Sequence, residues 1–556
     1  MKKFLGLIIA LVYFVFQALL VPQVSLSWDE PASFFIGRAN LKFWLTGNRQ
    51  YLDDLKNREL FRDSPFWYTY GEEVYPPAPF VVASVFSYIL AEKMQLMHFI
   101  TAHHLGELVI GAFGVWAMYG LATLIDLSPP LAAATTLIYA LYPTIVGQMR
   151  SDAKDVPLVS MLVIFMYFFI RLLNACQRMN PGSTLKLALI SGLTFGLACA
   201  TKPTAPILLP IILAWFTLSF LLNKSWRQSL RPFNRLFLIT LLMGIVAGFS
   251  FFLGWPWLWQ DTLFRLQEVW KFFKVVGYYM PVPFLGTIYR AGVNVPWYYP
   301  YGILLFQTPL ELTLLAFLGM LVAWRRFFKG KVYPLLFFIW FWVGIGRFHL
   351  PGMIIYHKVR HFIDVIPAFI LLAGLGLEAI YLAARKIRAK SRKQVGSFIL
   401  ISLILISVMH EIWIIRVLFP YEASYFNFLV GGIRNVAQKR LFDVDTGSTI
   451  KEAMAYFSRV SPQVPIKIYP CLMQHLALYY KTPEMQLITQ NPELADYTLV
   501  PNSPSWFGGA LEFLPKYQQL VYTVKRDGAD LFYIYKHISP VGWRCGQETE
   551  TTYAEN

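Results

Sequence analysis

Residues 4–21 read FLGLIIALVYFVFQALLV, an uncharged and almost wholly apolar run of 18 residues. At about 1.5 Å per residue, a helix of this length nearly crosses the roughly 30 Å hydrocarbon core of a bilayer. Lys2 and Lys3 precede the run, and no small-residue cleavage site follows it, so we expect an uncleaved first membrane helix. The chain then leaves the membrane just before two adjacent carboxylates, Asp29 and Glu30.

The composition of the whole chain predicts a polytopic α-helical membrane protein. Of its 556 residues, 56% are hydrophobic and 15% are charged, and the mean hydropathy is +0.48. A soluble domain has too little interior to bury so much apolar surface. Further membrane helices are predicted at residues 78–91, 104–125, 131–147, 156–173, 185–200, 205–222, 236–257, 302–324, 333–346, 362–384 and 396–417.

The net charge of +17 does not indicate nucleic-acid binding, because the basic residues lie in short loops between apolar segments. That distribution is the positive-inside pattern, which orients helices in the membrane. It predicts a cytoplasmic N-terminus, an outer-face Asp29 and an outer-face C-terminus. The loops contain Arg171, Arg178 and Lys186; Lys224, Arg227, Arg231 and Arg235; Arg325, Arg326, Lys329 and Lys331; and Arg385 to Lys393.

The number of predicted membrane crossings disagrees with the predicted topology at one place. Three apolar stretches lie between the first outer loop, residues 23–76, and the predicted outer loop at Asp152, yet an even number is required. The short segment 78–91 or the Ala-rich segment 131–147 is therefore expected to be re-entrant or half-buried. A cytoplasmic N-terminus with an outer C-terminus requires an odd total, so 11 or 13 helices are predicted, in the range 11–13.

Residues 421–556 have the composition of a small α/β domain, distinct from the membrane domain at residues 1–420. Predicted elements are a helix at 449–459, a strand at 465–469, a helix at 473–480, a strand at 497–500 and a hairpin of 520–525 with 531–536. The four cysteines do not form a disulfide framework. Free thiols are favoured, although Cys471 and Cys545 would pair in an oxidising compartment.

Ionisable residues gather at the predicted outer ends of the helices. They are Asp29 and Glu30; Arg150, Asp152, Lys154 and Asp155; Lys202; and Arg347, His349, His357, Lys358, Arg360 and His361. Charges near lipid are costly and usually face a cavity or one another. Two other interpretations remain open: the acidic pair caps a helix, and single basic residues anchor to lipid headgroups.

A carboxylate opposed by cations suits glycosyl transfer from a lipid phosphate. The acceptor hydroxyl loses a proton to a general base as it attacks the anomeric carbon. Arg and Lys stabilise the charge that develops on the departing phosphate. One carboxylate with a cationic pocket fits inversion by direct displacement.

At several places the chain resembles the membrane glycosyltransferases of the C-type fold. Within these it is most similar to glycosyltransferase family 39, the group of protein O-mannosyltransferases and lipid A aminoarabinose transferases. The likeness extends over roughly residues 1–435. It is carried by the acidic pair, Tyr75-Pro76-Pro77, RSDAKDVP at 150–157, ATKPTA at 200–205, WPWLW at 255–259, QTPL at 307–310, Arg360-His361-Phe362 before Ile366-Pro367, and SYFN at 424–427 with Gly431-Gly432.

This resemblance implies that Asp29 is the catalytic carboxylate and that Asp152 and Asp155 shape the substrate site. It also implies interfacial helices in residues 23–76 that cover the lipid donor. The aminoarabinose transferases have an Arg shortly after the acidic pair and a Lys before the two prolines, whereas this chain has Pro31-Ala32-Ser33 and Tyr75. Donor contacts are therefore expected elsewhere. The predicted substrate-binding residues are Glu30, Tyr75, Arg150, Asp152, Asp155, Lys202, Arg347, His357, Lys358 and Arg360.

The sequence thus predicts an inverting, polyprenyl-phosphate-sugar-dependent glycosyltransferase of the plasma membrane, acting on a hydroxyl of a protein, lipid or glycan. No cofactor is expected, and a metal is not favoured, since the histidines lack ligand spacing and His103-His104 is predicted at a cytoplasmic helix end. Asp29 with Asp152 or Asp155 could still hold a divalent ion through oxygen ligands, although the resemblance is to metal-independent enzymes. A transporter or flippase is the alternative, and a scaffold is a third interpretation. Gates on both faces would distinguish a transporter.

Overall fold

A computed structural model describes residues 4–68, 72–386, 392–445, 448–460, 465–539 and 545; Lys2, Lys3 and residues 387–391 of the predicted basic run lie outside these ranges. The described part of the first 420 residues is dominated by helices. They are α1 (Leu5–Leu20), α2 (Glu30–Thr46), α3 (Gln50–Asp53), α4 (Ala78–Ser87), α5 (Phe99–Leu124), α6 (Pro129–Leu141), α7 (Pro143–Met149), α8 (Asp155–Gln177), α9 (Pro181–Cys199), α10 (Leu208–Leu222), α11 (Lys224–Ser229), α12 (Phe233–Gly254), α13 (Thr262–Val275), α14 (Tyr299–Phe306), α15 (Leu310–Phe327), α16 (Tyr333–Gly346), α17 (Ile366–Lys386) and α18 (Arg392–Leu418).

The protein is a multi-pass membrane protein. In the described ranges, eight helices are long and apolar enough to cross a bilayer, and α6 with α7, bent by 56°, makes a ninth. The bend follows Tyr142, where Pro143 cannot donate a backbone hydrogen bond to continue α6. The predicted segments that fail this criterion are 78–91, 302–324 and 333–346, which fold as shorter or interrupted helices.

Segment 78–91 is the one that does not cross, which resolves the conflict in the count. It forms α4 and a π-helical continuation, Tyr88–Lys93. Before its start, the Tyr75 ring lies 4.2 Å from the Lys154 ammonium. At its end, Glu92 binds Arg38 on α2, the helix that begins beside Asp29. Both ends of α4 therefore lie on the Asp29 side, and α5 and the α6–α7 pair supply the even number of crossings.

α15 and α16 also run from one end of the bundle to the other, although α15 carries charged residues and α16 is short. At the end of α15, Arg326 Nη1 donates to Ile125 O, in the turn between α5 and α6. At the start of α16, Tyr333 Oη lies 2.7 Å from Asn174 Oδ1, near the end of α8. The other end of α16 packs against the helical turn that carries Arg360. Adding these two helices to the nine gives 11 crossings in the described ranges, within the predicted 11–13.

Small residues allow the central helices to pack closely. A Cβ on Gly319 of α15 would lie 1.7 Å from Leu372 O of α17, and one on Gly376 would lie 2.1 Å from Leu315 O. Such contacts are typical of membrane helices. Lipid provides no hydrophobic driving force between helices, so van der Waals packing at closely approaching backbones holds them together. α15 and α17 thereby fix the position of the turn just before α17.

The C-terminal region contains a sheet with helices around it, in agreement with the predicted α/β composition; the sheet is mixed. Its elements are α19 (Gly432–Lys439), α20 (Ile450–Val460), β3 (Ile466–Tyr469), α21 (Gln474–Ala477), β4 (Met485–Leu487), β5 (Tyr497–Pro501), α22 (Pro504–Tyr517), β6 (Gln519–Arg526) and β7 (Ala529–Lys536); the hairpin of β1 (Pro281–Phe284) and β2 (Thr287–Arg290) belongs to the loop before α14. The strand order is β4-β3-β5-β7-β6, with β3 parallel to β4 and β5 and the other pairs antiparallel.

The predicted helix at 449–459, both predicted strands and the hairpin are confirmed, whereas β4 and α22 were not predicted. The segment 473–480 is helical only at Gln474–Ala477.

Cys471 and Cys545 form a disulfide, so the preference for free thiols was wrong at these two positions. The neighbouring backbone at Cys471 is left-handed, with φ +46°, and sequence spacing does not reveal such a geometry.

Candidate active site

Asp29 stands at the N-terminus of α2 but does not cap it. The structure shows no side-chain hydrogen bond from Asp29 to the first turn of α2. Its Oδ2 instead accepts from Arg360 Nη2 at 2.7 Å and lies 3.5 Å from Lys154 Nζ. The side chain keeps 30% of its surface exposed, so it is open to an approaching molecule. The capping interpretation therefore fails for Asp29.

Arg360 links Asp29 to the second acidic motif, 331 residues apart from it in the chain. Its Nε lies 2.9 Å from Asp152 Oδ2 and 2.8 Å from Asp155 Oδ2. Lys202, directly after α9, binds the other oxygen of Asp155. Four separate parts of the chain thus meet in one cluster, the Asp29 cluster. It contains the carboxylates of Asp29, Asp152 and Asp155 and the cations of Lys154, Lys202 and Arg360.

The second acidic motif is built by the start of α8. Asp152 Oδ1 accepts hydrogen bonds from the backbone N–H groups of Lys154 and Asp155, both at 2.9 Å. A carboxylate in this position satisfies donors that a helix start leaves free. The capping bond directs the second oxygen of Asp152 towards Arg360.

Asp29 and Asp152, the two carboxylates of this cluster that lie outside the membrane spans, have opposite pKa shifts. Burial tends to raise the pKa of Asp29, but Lys154 and Arg360 outweigh it and hold the pKa well below its usual range. Burial raises the pKa of Asp152 to about 7, although Arg360 opposes the change. Burial also lowers the pKa of His357, beside Asp29, to about 4, so its imidazole is neutral at pH 7.

Lys154 is the residue that the sequence prediction left out of the substrate-binding set. Its ammonium lies 4.2 Å from the centre of the Tyr75 ring, a cation–π contact, and within reach of Asp29. A lysine from the RSDAKDVP motif thereby comes next to Tyr75-Pro76-Pro77. In the sequence, the only sign that Lys154 belongs to the site is its position between Asp152 and Asp155.

Four of the predicted binding residues lie outside the Asp29 cluster: Glu30, described below, and three basic residues. Arg150 is fully buried and binds Glu422 at 2.6 Å. Arg347 forms two bonds to Asp364, at 2.5 and 2.8 Å. Lys358 turns away and donates to the backbone carbonyl of Asp443 at 2.7 Å. In this structure all three join segments of the protein to one another.

Glu30 faces the opposite way from Asp29. One oxygen accepts from the Ser27 N–H at 2.6 Å, and the other lies 3.0 Å from His104 Nε2. His103-His104 therefore lies on the Asp29 side of the bundle and not, as predicted, at the opposite end. The error came from taking segment 78–91 as a crossing, which reversed the direction assigned to α5.

The C-terminal domain holds the chain just ahead of Asp29. Tyr480 Oη accepts from the Leu26 N–H at 2.7 Å, and His475 Nε2 lies 3.2 Å from Trp28 O. The Trp28 and His475 rings also meet edge to face, with centroids 4.7 Å apart. No sequence pattern signalled these contacts, because each joins residues more than 400 positions apart.

Two solved structures share the fold over nearly the whole chain. The apo structure of ArnT from Cupriavidus metallidurans matches at TM-score 0.50 and 15% identity, over 95% of this chain and 97% of that one. The apo Archaeoglobus fulgidus oligosaccharyltransferase matches at TM-score 0.50 and 12% identity, over 96% and 74%. No family model and no curated protein matches the sequence. The chain has the C-type glycosyltransferase fold, as its motifs predicted.

Proposed function

We propose that this protein transfers a sugar from a polyprenyl-phosphate-linked donor to an acceptor hydroxyl at the Asp29 cluster. The observation that carries the proposal is the contact of Arg360 with Asp29, Asp152 and Asp155, beside a carboxylate that remains partly exposed. A guanidinium held by carboxylates on one side offers its remaining N–H groups to a phosphate. Lys154 and Lys202 add two further positive charges.

The charge of the cluster fits one phosphodiester. Three carboxylates and three cations balance when all are ionised. Because burial raises the pKa of Asp152 to about 7, that group is protonated in a large share of molecules near neutral pH. The cluster then carries one excess positive charge, which matches the single negative charge of a sugar-phosphate-lipid diester.

The proposed reaction is a direct displacement with inversion. The acceptor oxygen forms a bond to the anomeric carbon while the bond from that carbon to the phosphate oxygen breaks. The acceptor proton passes to the Asp29 carboxylate, and the polyprenyl phosphate leaves with the electron pair. Arg360 and Lys154 stabilise the charge that this phosphate gains.

Donor binding would also make Asp29 a stronger base. Without substrate, Lys154 and Arg360 hold its pKa below the usual range, which suits a weak proton acceptor. A phosphate that draws these two cations towards itself weakens their hold on Asp29, and the pKa rises. Proton transfer is thereby linked to the presence of the donor.

We place the cluster on the outer face of the plasma membrane. The disulfide between Cys471 and Cys545 supports this location, because such bonds persist in oxidising compartments. The domain that contains it lies on the Asp29 side, through Tyr480 and His475. The basic loops, on the opposite side, would then face the cytoplasm.

The test uses the detergent-purified protein with a panel of polyprenyl-phosphate sugars and hydroxyl acceptors. Micelles have no compartments, so release of polyprenyl phosphate reports chemistry and excludes transport. Asp29→Asn is expected to lower turnover by about 10² to 10⁴. Asp126→Asn, the same change beside Lys331 at the far end of the bundle, is expected to keep it. Equal turnover of Asp29→Asn and wild type would falsify the base assignment, and no release with any donor would refute the transferase.

A further inference from the structure

A second group of ionisable side chains lies behind the acidic pair, outside the Asp29 cluster. His104 and Glu107 are one turn apart on α5 and face Glu30, the first residue of α2. The distance from His104 Nε2 to Glu30 Oε1 is 3.0 Å. One ligand atom from each residue lies within 4.8 Å of the other two, and all three side chains are buried.

Glu107 has no compensation for its charge among the described residues. Neither of its carboxylate oxygens has a hydrogen-bond partner there, and the side chain is 0% exposed. The charged groups that act on it are Glu30 and Asp152, which are carboxylates themselves. A buried negative charge next to two others requires a cation or a proton.

We propose that Glu30, His104 and Glu107 bind a divalent cation of the zinc class. One imidazole nitrogen and two carboxylate oxygens form a donor set that Zn²⁺ accepts, at about 2.0–2.2 Å from each ligand. Around such an ion the ligand atoms stand roughly 3.4 Å apart, close to the spacing of His104 and Glu30. The two carboxylates neutralise the charge of the ion. This site departs from the expectation of no metal, which considered sequence spacing and not the meeting of α2 with α5.

The ion joins α2 to α5 directly behind Asp29. Glu30 already binds the backbone of Ser27 through its second oxygen. With its first oxygen on the ion, the turn of residues 27–30 is attached to a helix that crosses the membrane. The site therefore positions Asp29 without touching the reacting atoms.

Metal content tests the proposal independently of transfer activity. Wild-type protein, purified without chelator, is measured by inductively coupled plasma mass spectrometry and is expected to hold about one zinc per chain. Glu107→Gln is expected to hold less than about a tenth of that amount. Glu411→Gln is the matched control, because Glu411 is another fully buried glutamate in a membrane helix with no described hydrogen-bond partner. It is expected to retain the zinc.

Wild-type protein also decides the question if the variants fail to fold. Chelator treatment is expected to lower the melting temperature, and Zn²⁺ alone is expected to restore it. If the wild-type protein holds no more zinc than Glu107→Gln, the proposal is overturned. A proton, and not a metal ion, would then neutralise Glu107. A stripped protein whose melting temperature does not respond to Zn²⁺ also overturns the proposal.

Discussion

Arg360 joins the three carboxylates because a guanidinium presents several donors in one plane. Nη2 donates to Asp29, while Nε lies within 3 Å of both Asp152 and Asp155. A lysine ammonium is a compact point charge on a flexible stem and cannot span the same three partners. The shape of this side chain, in addition to its charge, therefore decides the geometry of the site.

Arg360→Lys is accordingly expected to lower kcat/KM by about 10²-fold or more, because the site loses preorganised donors to the phosphate. Much of the loss should lie in kcat. The measurement is polyprenyl phosphate release in detergent at several donor concentrations. Arg326→Lys, which keeps one carboxylate partner in Glu378 at the opposite end of the bundle, is the control. Equal kcat/KM in the two variants would contradict this account of Arg360.

The raised pKa of Asp152 predicts a contribution to stability that depends on pH. Burial raises the pKa of Asp152 from 3.8 to about 7. Between these values the folded protein keeps a proton that the unfolded chain releases, so this group's contribution to the free energy of unfolding falls as pH rises from about 4 to 7. Asp152→Asn removes the titration. We expect wild type to melt progressively lower than the variant between pH 5 and pH 7.5, and a constant difference in melting temperature would count against the shifted pKa.

At the scale of elements, sequence reasoning worked where one physical property decided the outcome. Length and hydropathy identify α1, α8 and α12, since a long apolar run with at most two charged residues has no soluble alternative. The same criterion could not place segment 78–91, because the ion pair of Glu92 with Arg38 keeps it on the Asp29 side. Polar residues at helix ends were recognised as a set, but the contact between Asp29 and Arg360 depends on the packing of distant helices.

The packing of α15 against α17 holds the turn that carries Arg360, so its disturbance should reach the site. Gly319→Ala would put a Cβ 1.7 Å from Leu372 O and force the helices apart. We expect a loss of about 1–3 kcal/mol in stability, seen as a lower melting temperature in detergent. Gly244→Ala is the matched control, because a Cβ there meets nothing within 4 Å. The prediction fails if both variants melt with the wild type.

At the scale of the whole molecule, the membrane bundle and the C-terminal domain meet at the segment that leads to Asp29. Lys451 donates to Pro22 O at 2.5 Å, and Tyr480 binds Leu26 at 2.7 Å. The segment 22–28 is therefore held from the bundle side by α1 and from the other side by a domain more than 400 residues later. Under the proposed function, the C-terminal domain would therefore help to position Asp29 for transfer.

Tyr480→Phe isolates that contact, since it removes one oxygen and leaves the ring. The Leu26 N–H then loses its acceptor, which costs about 1–3 kcal/mol for a buried donor and favours release of the segment. Hydrogen exchange should become faster at residues 24–28 while the membrane helices stay protected, and turnover should fall about tenfold as the share of molecules with a positioned Asp29 drops. Tyr517→Phe, at a half-exposed tyrosine of α22, should change neither quantity. Unchanged exchange at residues 24–28 in Tyr480→Phe would mean that the bundle alone positions Asp29, and the domain would then have no part in the site.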